Sequence, residues 1–477
     1  MHRMSAVECW ILLAMATFPS ASNALTQGDY TYTTNALGKA TITDFPTSYA
    51  GALSIPDNLG GCPVVAIGGS AFRDCNKLTS VTIPSTVTTL GTWAFAACSA
   101  LANVTIGPNV TSIPDRAFNE CSVLKAIVIP DSVRSIGEDA FSRCRKLASA
   151  EIGNGVTSIG FAAFLSCDAL SAVSIGSGVG TIEDWAFLAC PSLKSFTVDP
   201  ANTTYASLDG VLFNKGMTTL IQYPSAKSGS YAIPSGVTTL GDFAFESCAA
   251  LTAVAVPDSV GQIGFDAFSQ CPALVAFTVD DANSTYSSQD GVLFNKGLTT
   301  LLKCPSGKAG RYTIPSGVTT IDRAAFADCA ALTSILIPAS VTTLEEYAFY
   351  RCNALNALLF QGNAPSSDHS LFEAPYELVV YYLPGKTGWG STFEYKTVRC
   401  WNPSFRADAG LGFSGGRFGF TLDGTPQIPV RVEAAIRIDA ADWTSVTNTT
   451  LGAVGSLVVV DAESDLHPAR FYRVVFP

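Results

Sequence analysis

Residues 78–101 read LTSVTIPSTVTTLGTWAFAACSAL. Residues 78–83 end in an alternation of apolar and polar side chains, which is typical of a short, half-buried strand. Pro84 breaks this strand, and residues 94–101 then place Ala-Phe, Cys and Leu three residues apart, a spacing that predicts a helical or 3₁₀ turn. A segment of this size cannot bury its own apolar side chains, so it needs similar segments stacked against it.

The rest of the chain supplies such segments. Ten Ala-Phe pairs share one pattern, in which the Phe is followed by Cys three residues later and by Leu six residues later. The first six phenylalanines are spaced by 23 residues without exception. The ten are Phe72, Phe95, Phe118, Phe141, Phe164, Phe187, Phe245, Phe268, Phe326 and Phe349. This repeat predicts a β-rich solenoid of 23-residue coils, each with a short strand.

Two of the later intervals measure 58 residues, and the additional residues lie near 199–233 and 280–314. Both contain Gly-Val-Leu-Phe-Asn-Lys-Gly, in which apolar residues on either side of Asn-Lys-Gly predict a β-hairpin. We therefore expect two hairpin insertions in the solenoid.

A glycine follows the last apolar residue before many Ala-Phe pairs, as at Gly91, Gly137 and Gly160. Pro114 occupies the same place in one coil, and proline excludes a positive φ. We infer that these glycines allow close packing rather than a left-handed backbone.

The repeat resembles the BspA-like leucine-rich repeat family of bacterial surface proteins, whose pattern is roughly I-G-x-x-A-F-x-x-C-x-x-L-x-x-V-x-I-P-x-S-V. The resemblance runs from about residue 29 to residue 401, and it includes Gly362-Asn-Ala-Pro and Tyr381-Tyr-Leu-Pro-Gly near its end. It implies leucine-rich repeats with parallel strands on one face, and a surface binding or adhesion role.

The N-terminus has the features of a signal peptide: Arg3, an apolar stretch at residues 10–16, and small residues before a cleavage site after Ala24. No later apolar run is long enough to predict a membrane helix. We therefore expect a secreted or cell-surface protein.

The remaining boundaries follow from where the period begins and ends. We expect an N-terminal β cap at residues 25–60, the solenoid at 61–360, a C-terminal cap at 361–401 and a small β-sandwich-like module at 402–477. The last segment contains Asp442-Trp-Thr and, near its end, Arg470-Phe-Tyr-Arg. With these residues it resembles a verrucomicrobial-type C-terminal β module, and both an attachment role and a passive role are open for it.

The sequence argues against catalysis and against nucleic-acid binding. Beyond His2 it contains only His369 and His467, too few and too isolated for a catalytic His set. It has no nucleotide-binding motif, and we predict no cofactor and no metal. The net charge is −11, whereas nucleic-acid binders carry clustered Lys and Arg.

Two features leave alternatives open. The ladder of ten cysteines lies in an exported chain, so stacked thiols are near enough for disulfides, but parallel side-chain directions favour buried free thiols. Residues 199–202 and 280–283 carry Asp and Asn that suit either calcium or the turns that these residues stabilise.

The outward side chains of the strands form the candidate ligand surface. Of twenty outward positions only Glu151 is charged and none is aromatic, and we expect Ser334, Leu336, Ala357 and Leu359 to be among them. Bulkier side chains precede the Ala-Phe pairs, where they project from the coil edge or pack between coils. The candidate residues are Thr82, Asn103, Thr105, Glu151, Ser174 and Thr197 on the strands, and Trp93, Arg116 and Trp185 at the edge.

Two functions fit this chain. The first is recognition of, or adhesion to, an extracellular protein or glycan through the solenoid. The alternative is a structural component of the cell envelope or matrix that self-associates, which a smooth and almost uncharged strand face favours.

Overall fold

The structure, a computed structural model, describes residues 24–367, 370–373, 377–406, 412–414, 416–467 and 469–477. The predicted signal peptide up to residue 23 and His369 lie outside the described residues. The chain forms two compact units, the first ending at Cys190 and the second beginning at Pro191.

The described part of the first unit is built from strands and turns. Its strands are β1 Leu25–Gln27, β2 Tyr30–Thr34, β3 Ala40–Asp44, β4 Gly51–Ser54, β5 Asn58–Leu59, β6 Cys62–Ile67, β7 Leu78–Thr82, β8 Thr89–Leu90, β9 Asn103–Thr105, β10 Ser112–Ile113, β11 Ala126–Ile129, β12 Ser135–Ile136, β13 Ser149–Ile152, β14 Ser158–Ile159, β15 Ala172–Ile175 and β16 Thr181–Ile182.

Each coil of the first unit contributes one longer strand and one two-residue strand. The longer strands β11, β13 and β15 pair in parallel, with Ile127 opposite Ala150, and the short strands β10, β12, β14 and β16 form a second parallel sheet. Partners in both sheets are 23 residues apart, as Ser112 and Ser135 are. The predicted solenoid of leucine-rich coils is confirmed.

The stretch from the residue before Ala-Phe to the Cys, which we call the Phe arm, is not the predicted helical or 3₁₀ turn. The amide of Phe95 donates to the carbonyl of Ala117 in the next coil (2.8 Å), whereas that of Ala96 donates to Trp93, three residues back (3.0 Å). Alternate amides thus point out of the coil toward its neighbour. A helix would need all of them within the segment, so the arm is a chain of tight turns instead.

The Phe arms contain left-handed residues that are not glycine. The residue before each Ala-Phe pair has a positive φ, for example 62° at Trp93 and 56° at Arg116, and so does the residue before each Cys. These backbone conformations are unfavourable for large side chains. They turn alternate amides toward the next coil, where hydrogen bonds offset the strain.

The glycines serve close packing, as the sequence predicted. Neither Gly91 nor Gly137 is among the glycines with positive φ. A Cβ at Gly91 would lie 2.3 Å from the backbone nitrogen of Gly69, and one at Gly137 would lie 2.6 Å from that of Asp115.

The core of the first unit is a ladder of phenylalanine rings. Phe95, Phe118 and Phe141 are fully buried, with ring centroids 5.3 and 5.4 Å apart and planes within 4° of parallel. The same stacking links Phe72 to Phe95 and Phe164 to Phe187. One apolar column thus runs through successive coils.

The described part of the second unit contains most of the strands and one short helix. Its strands are β17 Ser195–Val198, β18 Tyr205–Leu208, β19 Val211–Asn214, β20 Thr219–Gln222, β21 Gly229–Ala232, β22 Thr239–Leu240, β23 Leu251–Val256, β24 Gln262–Ile263, β25 Ala276–Val279, β26 Tyr286–Gln289, β27 Val292–Asn295, β28 Thr300–Lys303, β29 Gly310–Thr313, β30 Thr320–Ile321, β31 Leu332–Ile337, β32 Thr343–Leu344, β33 Ala357–Phe360, β34 Ser366–Ser367, β35 Val379–Tyr382, β36 Thr392–Phe393, β37 Lys396–Cys400, β38 Ser404–Phe405, β39 Gly412–Ser414, β40 Arg417–Asp423, β41 Pro429–Ala435, β42 Thr444–Thr450, β43 Ser456–Val460 and β44 Phe471–Val475. The 3₁₀ helix is Ser464–Leu466.

Both insertions contain the predicted hairpin, formed by β19 with β20 and by β27 with β28, and each adds a further strand. The additional strand β18 pairs with β19 across Asp209 and Gly210, whose φ angles of 50° and 80° give a tight turn. Asp-Gly is the signal in the sequence that predicts this turn.

The last strands of the second unit form two small antiparallel groups. β40 lies between β43 on one side and β38 and β39 on the other, and β41 lies between β42 and β44. We call these strands, β38 to β44, the terminal module.

Candidate functional site

The outward strand positions of the first unit are open to solvent. Thr82, Asn103, Thr105, Glu151 and Ser174 are all exposed, because alternation along a strand turns their neighbours, such as Val81 and Ile152, into the core. Thr197, in the second unit, is also exposed.

Strand pairing brings these candidates into two groups. Thr82 lies opposite Thr105, and Glu151 lies opposite Ser174 on one side and Val128 on the other. The second group borders a shallow depression of about 410 Å³. Val128, which is 59% exposed, adds an apolar contact beside the one carboxylate of this face.

The edge candidates lie elsewhere on the coil, in the Phe arms. Trp93 is half-buried between two guanidinium groups, those of Arg73 at 4.9 Å and Arg116 at 5.2 Å from its ring centroid. Arg116 also forms an ion pair with Asp139 at 3.0 Å. Trp93 and Arg116 therefore support the packing of coils.

Trp185 is more accessible. It is 41% exposed, and its ring lies 5.1 Å from that of Phe161. Of the edge candidates it presents the largest apolar surface to solvent.

The corresponding strand face of the second unit differs from expectation. The outward side chains of β31 and β33 are not exposed: Ser334, Ala357 and Leu359 are buried, and Leu336 is half-buried. The terminal module covers them. The expectation of an outward, solvent-exposed face was wrong here, because period-2 alternation identifies the face of a strand but not what packs on it.

The covering contact is an apolar core of its own. Leu359 and Tyr381 from the solenoid pack with Leu422, Val430 and Phe476 from the terminal module. The ring of Phe476 lies 5.4 Å from that of Tyr381 and 5.8 Å from that of Trp401.

Hydrogen bonds also join the terminal module to the solenoid. The side chain of Ser334 donates to the carbonyl of Pro477 (2.9 Å), that of Arg311 donates to the carbonyl of Phe476, and the indole of Trp401 donates to the carbonyl of Pro429 (2.7 Å). The module is thus packed on the strand face rather than held only by a linker.

The ladder cysteines are buried free thiols, the interpretation that the sequence favoured. The thiol of Cys98 donates to the carbonyl of Phe72 (3.0 Å), and that of Cys121 donates to the carbonyl of Phe95 (3.2 Å). Burial raises the pKa of Cys121 to about 12. Burial likewise raises the pKa of Cys98, so these two thiols stay protonated and act as small core residues that bond one coil to the preceding one.

We expect thiol reagents to distinguish two classes of cysteine. Of the thirteen described cysteines, eleven are buried and two, Cys62 and Cys400, are half-buried. Because a buried thiol is out of reach of the reagent, the folded chain should react rapidly at those two residues only, and the others should react after unfolding. Counting modified cysteines with and without denaturant measures this; fast modification of Cys121 in the folded chain would contradict it.

The Asp and Asn side chains at residues 280–283 form hydrogen bonds that stabilise turns. Asn283 is fully buried, donates to the carbonyls of Pro257 and Val260 (both 2.8 Å), and accepts from the amides of Thr285 and Tyr286. Both N–H donors and both lone pairs of its side-chain amide are therefore hydrogen-bonded to the backbone. Among the residues that the structure describes, no group of three or more His, Cys, Asp or Glu is arranged to hold a metal.

Within the same residues, no helix has both the length and the apolarity that a membrane span requires.

Comparison with known proteins identifies the family of this chain. The model of the BspA type leucine rich repeat region, in 6 copies, matches residues 53–148, 111–227, 223–301 and 304–388. A leucine rich cell surface protein from Faecalibacterium prausnitzii A2-165 is 33% identical, with 71% of this chain and 95% of that chain covered and a TM-score of 0.51. The pneumococcal vaccine antigen PcpA shares the fold at 22% identity, with 76% and 94% covered and a TM-score of 0.59. No functionally curated protein matches the sequence.

Proposed function

Since this chain belongs to the BspA-type leucine-rich repeat family, we propose that it is a secreted or cell-surface recognition protein, without catalysis, that binds an extracellular protein or glycan. A similar chain is described as a cell surface protein. The N-terminal segment up to Ala24 has the composition of a signal peptide, which supports export.

One observation carries the choice of binding face. The strand face of the first unit is open, whereas the terminal module covers that of the last coils of the second unit. The open face presents hydroxyl and amide groups at Thr82, Asn103, Thr105 and Ser174 on a rigid ladder. Rows of such groups suit the hydroxyl groups of a glycan or the backbone of an extended peptide, and pre-organised groups lose little entropy on binding.

The test uses a chain that begins at Leu25, immobilised and exposed to a panel of extracellular-matrix proteins and to a glycan array. Arginine at residue 105 or 174 (Thr105→Arg, Ser174→Arg) places a long cation on the strand face, and we expect either change to weaken binding of a captured ligand at least ten-fold. Thr92→Arg, an exposed change directly before a Phe arm of the same unit and off the strand face, is the matched control and should bind normally.

Equal binding by all three variants would remove the strand face from the proposal. Failure of the folded protein to capture any ligand would favour the alternative, a structural role.

That alternative rests on a specific feature of the terminal module. Strand β43 pairs with β40, and the side chains of Val458 and Val460 on it are 70% and 55% exposed. Exposed apolar strands promote association between chains. Sedimentation of the purified chain over a range of concentrations distinguishes the two functions, because only the structural role requires assembly without a ligand.

A further inference from the structure

The second insertion interrupts the stacking of Phe arms in the second unit. Before it, the arms stack normally, with the rings of Phe245 and Phe268 4.9 Å apart. After it, the amide that bonds to the carbonyl of Ala325 is that of Cys304 from the insertion (2.7 Å). The insertion thus takes the place of a Phe arm at this level without supplying one.

The gap between these two sets of arms is a cleft of about 650 Å³, a size typical of ligand sites. We call it the arm cleft. On one side it is lined by Phe243, Glu246, Asp266 and Gln270, and on the other by Arg323, Asp328, Tyr347, Tyr350 and Arg351, with Glu373 and the highly exposed Tyr395 at its rim.

Aromatic rings and guanidinium groups form the wall of the cleft. The Arg323 guanidinium lies over the rings of Phe265 at 4.3 Å and of Tyr347 at 5.4 Å, and that of Arg351 lies over the ring of Tyr350 at 5.0 Å. Aromatic and arginine side chains dominate the binding energy of protein interfaces. The arm cleft therefore has the composition that the open strand face lacks.

The charges of the cleft are unbalanced toward the negative. Each arginine also has a carboxylate of its own, Glu346 at 3.6 Å from Arg323 and Glu373 at 3.5 Å from Arg351. The two guanidinium groups are thus neutralised within the wall.

Within the described residues, the other carboxylates, those of Glu246, Asp266 and Asp328, form no ion pair with arginine or lysine. Asp328 accepts instead from the backbone amide of Gln270 (3.2 Å). The ammonium of Lys303 donates to the carbonyl of Ala324 in the same lining (2.9 Å). Glu246 is bonded to the side-chain amide of Gln270 at 3.4 Å, and its second oxygen is buried without a hydrogen-bond partner among those residues. Burial, together with the charges of Asp266 and Asp328, raises the pKa of Glu246 to about 7. A cation in the cleft would relieve this repulsion.

We propose that the arm cleft binds an extended basic peptide by accepting a lysine or arginine side chain between its aromatic rings and its unbalanced carboxylates. Aromatic rings beside carboxylates suit ammonium and guanidinium groups, and the rings of Tyr347 and Tyr350 in this wall already lie under guanidinium groups. This site is separate from the strand face, so its test does not depend on the function proposed above.

The test measures binding of a fluorescent pentalysine peptide with blocked ends to the full chain by anisotropy. We expect saturable binding that Asp266→Asn and Tyr347→Ala each weaken at least five-fold. Asparagine tolerates the left-handed backbone at residue 266, so the first variant should fold. Binding should also weaken when the pH falls from 8 to 5.5, because protonation of Glu246 removes its charge.

Two controls separate a specific site from general attraction. Asp258→Asn removes one exposed negative charge of the same unit outside the cleft lining and should leave binding unchanged. A peptide of acetyl-lysine, which lacks the positive charges, should not bind. Equal weakening by Asp258→Asn, binding of the acetylated peptide, preferential binding of a neutral oligosaccharide or absence of any peptide binding would each overturn the proposal.

Discussion

Replacement of Phe118 by alanine should lower the free energy of unfolding of the first unit by about 3–5 kcal/mol. The ring is fully buried and lies between those of Phe95 and Phe141, at 5.3 and 5.4 Å. Its removal leaves a cavity in a column that continues on both sides, and the coils cannot collapse into it because their backbones are bonded to each other at a fixed spacing. Denaturant unfolding followed by circular dichroism measures the loss.

Phe161→Ala is the matched control, because Phe161 lies in the same unit and is exposed. Phe161→Ala should lower the free energy of unfolding by well under half as much as Phe118→Ala. Phe118→Leu, which keeps most of the buried volume, should fall between the two. Similar costs for Phe118→Ala and Phe161→Ala would mean that the ring ladder is not the core of the unit.

Replacement of Phe476 by alanine should release the terminal module from the strand face, with a loss of about 3 kcal/mol. Phe476 is buried and contacts the rings of both Tyr381 and Trp401 across the contact. Its loss should expose the side chains of Ala357 and Leu359 on β33, which are buried against the module. Hydrogen exchange of β33 and binding of a hydrophobic dye measure this exposure.

Phe471→Ala tests whether the effect belongs to this contact, because Phe471 lies in the same module and is 41% exposed. It should change neither measurement appreciably. Unchanged protection of β33 in Phe476→Ala would show that Phe476 contributes little to the attachment of the module.

The coils and hairpins of this chain could be predicted because their signals are local and repeated. The 23-residue spacing of Phe and Cys determines which strands pair. Gly137 indicates close packing because Pro114, which excludes a positive φ, takes the same place one coil earlier. Even the buried thiols follow, since equivalent cysteines on stacked coils point in the same direction.

The Phe arms could not be predicted, because their conformation contradicts the preference of the residues that adopt it. Trp93 and Trp185 both have φ near 62°, where large side chains are rare. Hydrogen bonds between coils, which no single segment contains, provide the compensation. A spacing of three residues therefore indicated a helix where the structure has turns.

The surfaces were predictable only in part. Alternation identified Thr105 and Ser174 as outward side chains, and they are exposed. It also assigned Leu359 outward, but Phe476, more than a hundred residues later, covers it. The arm cleft likewise joins Asp266 to Tyr347 across an insertion, so no local pattern reveals it.

The bonds between coils of the first unit also determine how it should respond to force. These hydrogen bonds run from each coil to the next. Tension applied to the ends of the unit would therefore break the bonds of one coil at a time, rather than all bonds together in shear. Each coil that peels away would release 23 residues, or roughly 80 Å of extended chain. Under tension the unit would therefore lengthen stepwise, while its remaining coils stay folded.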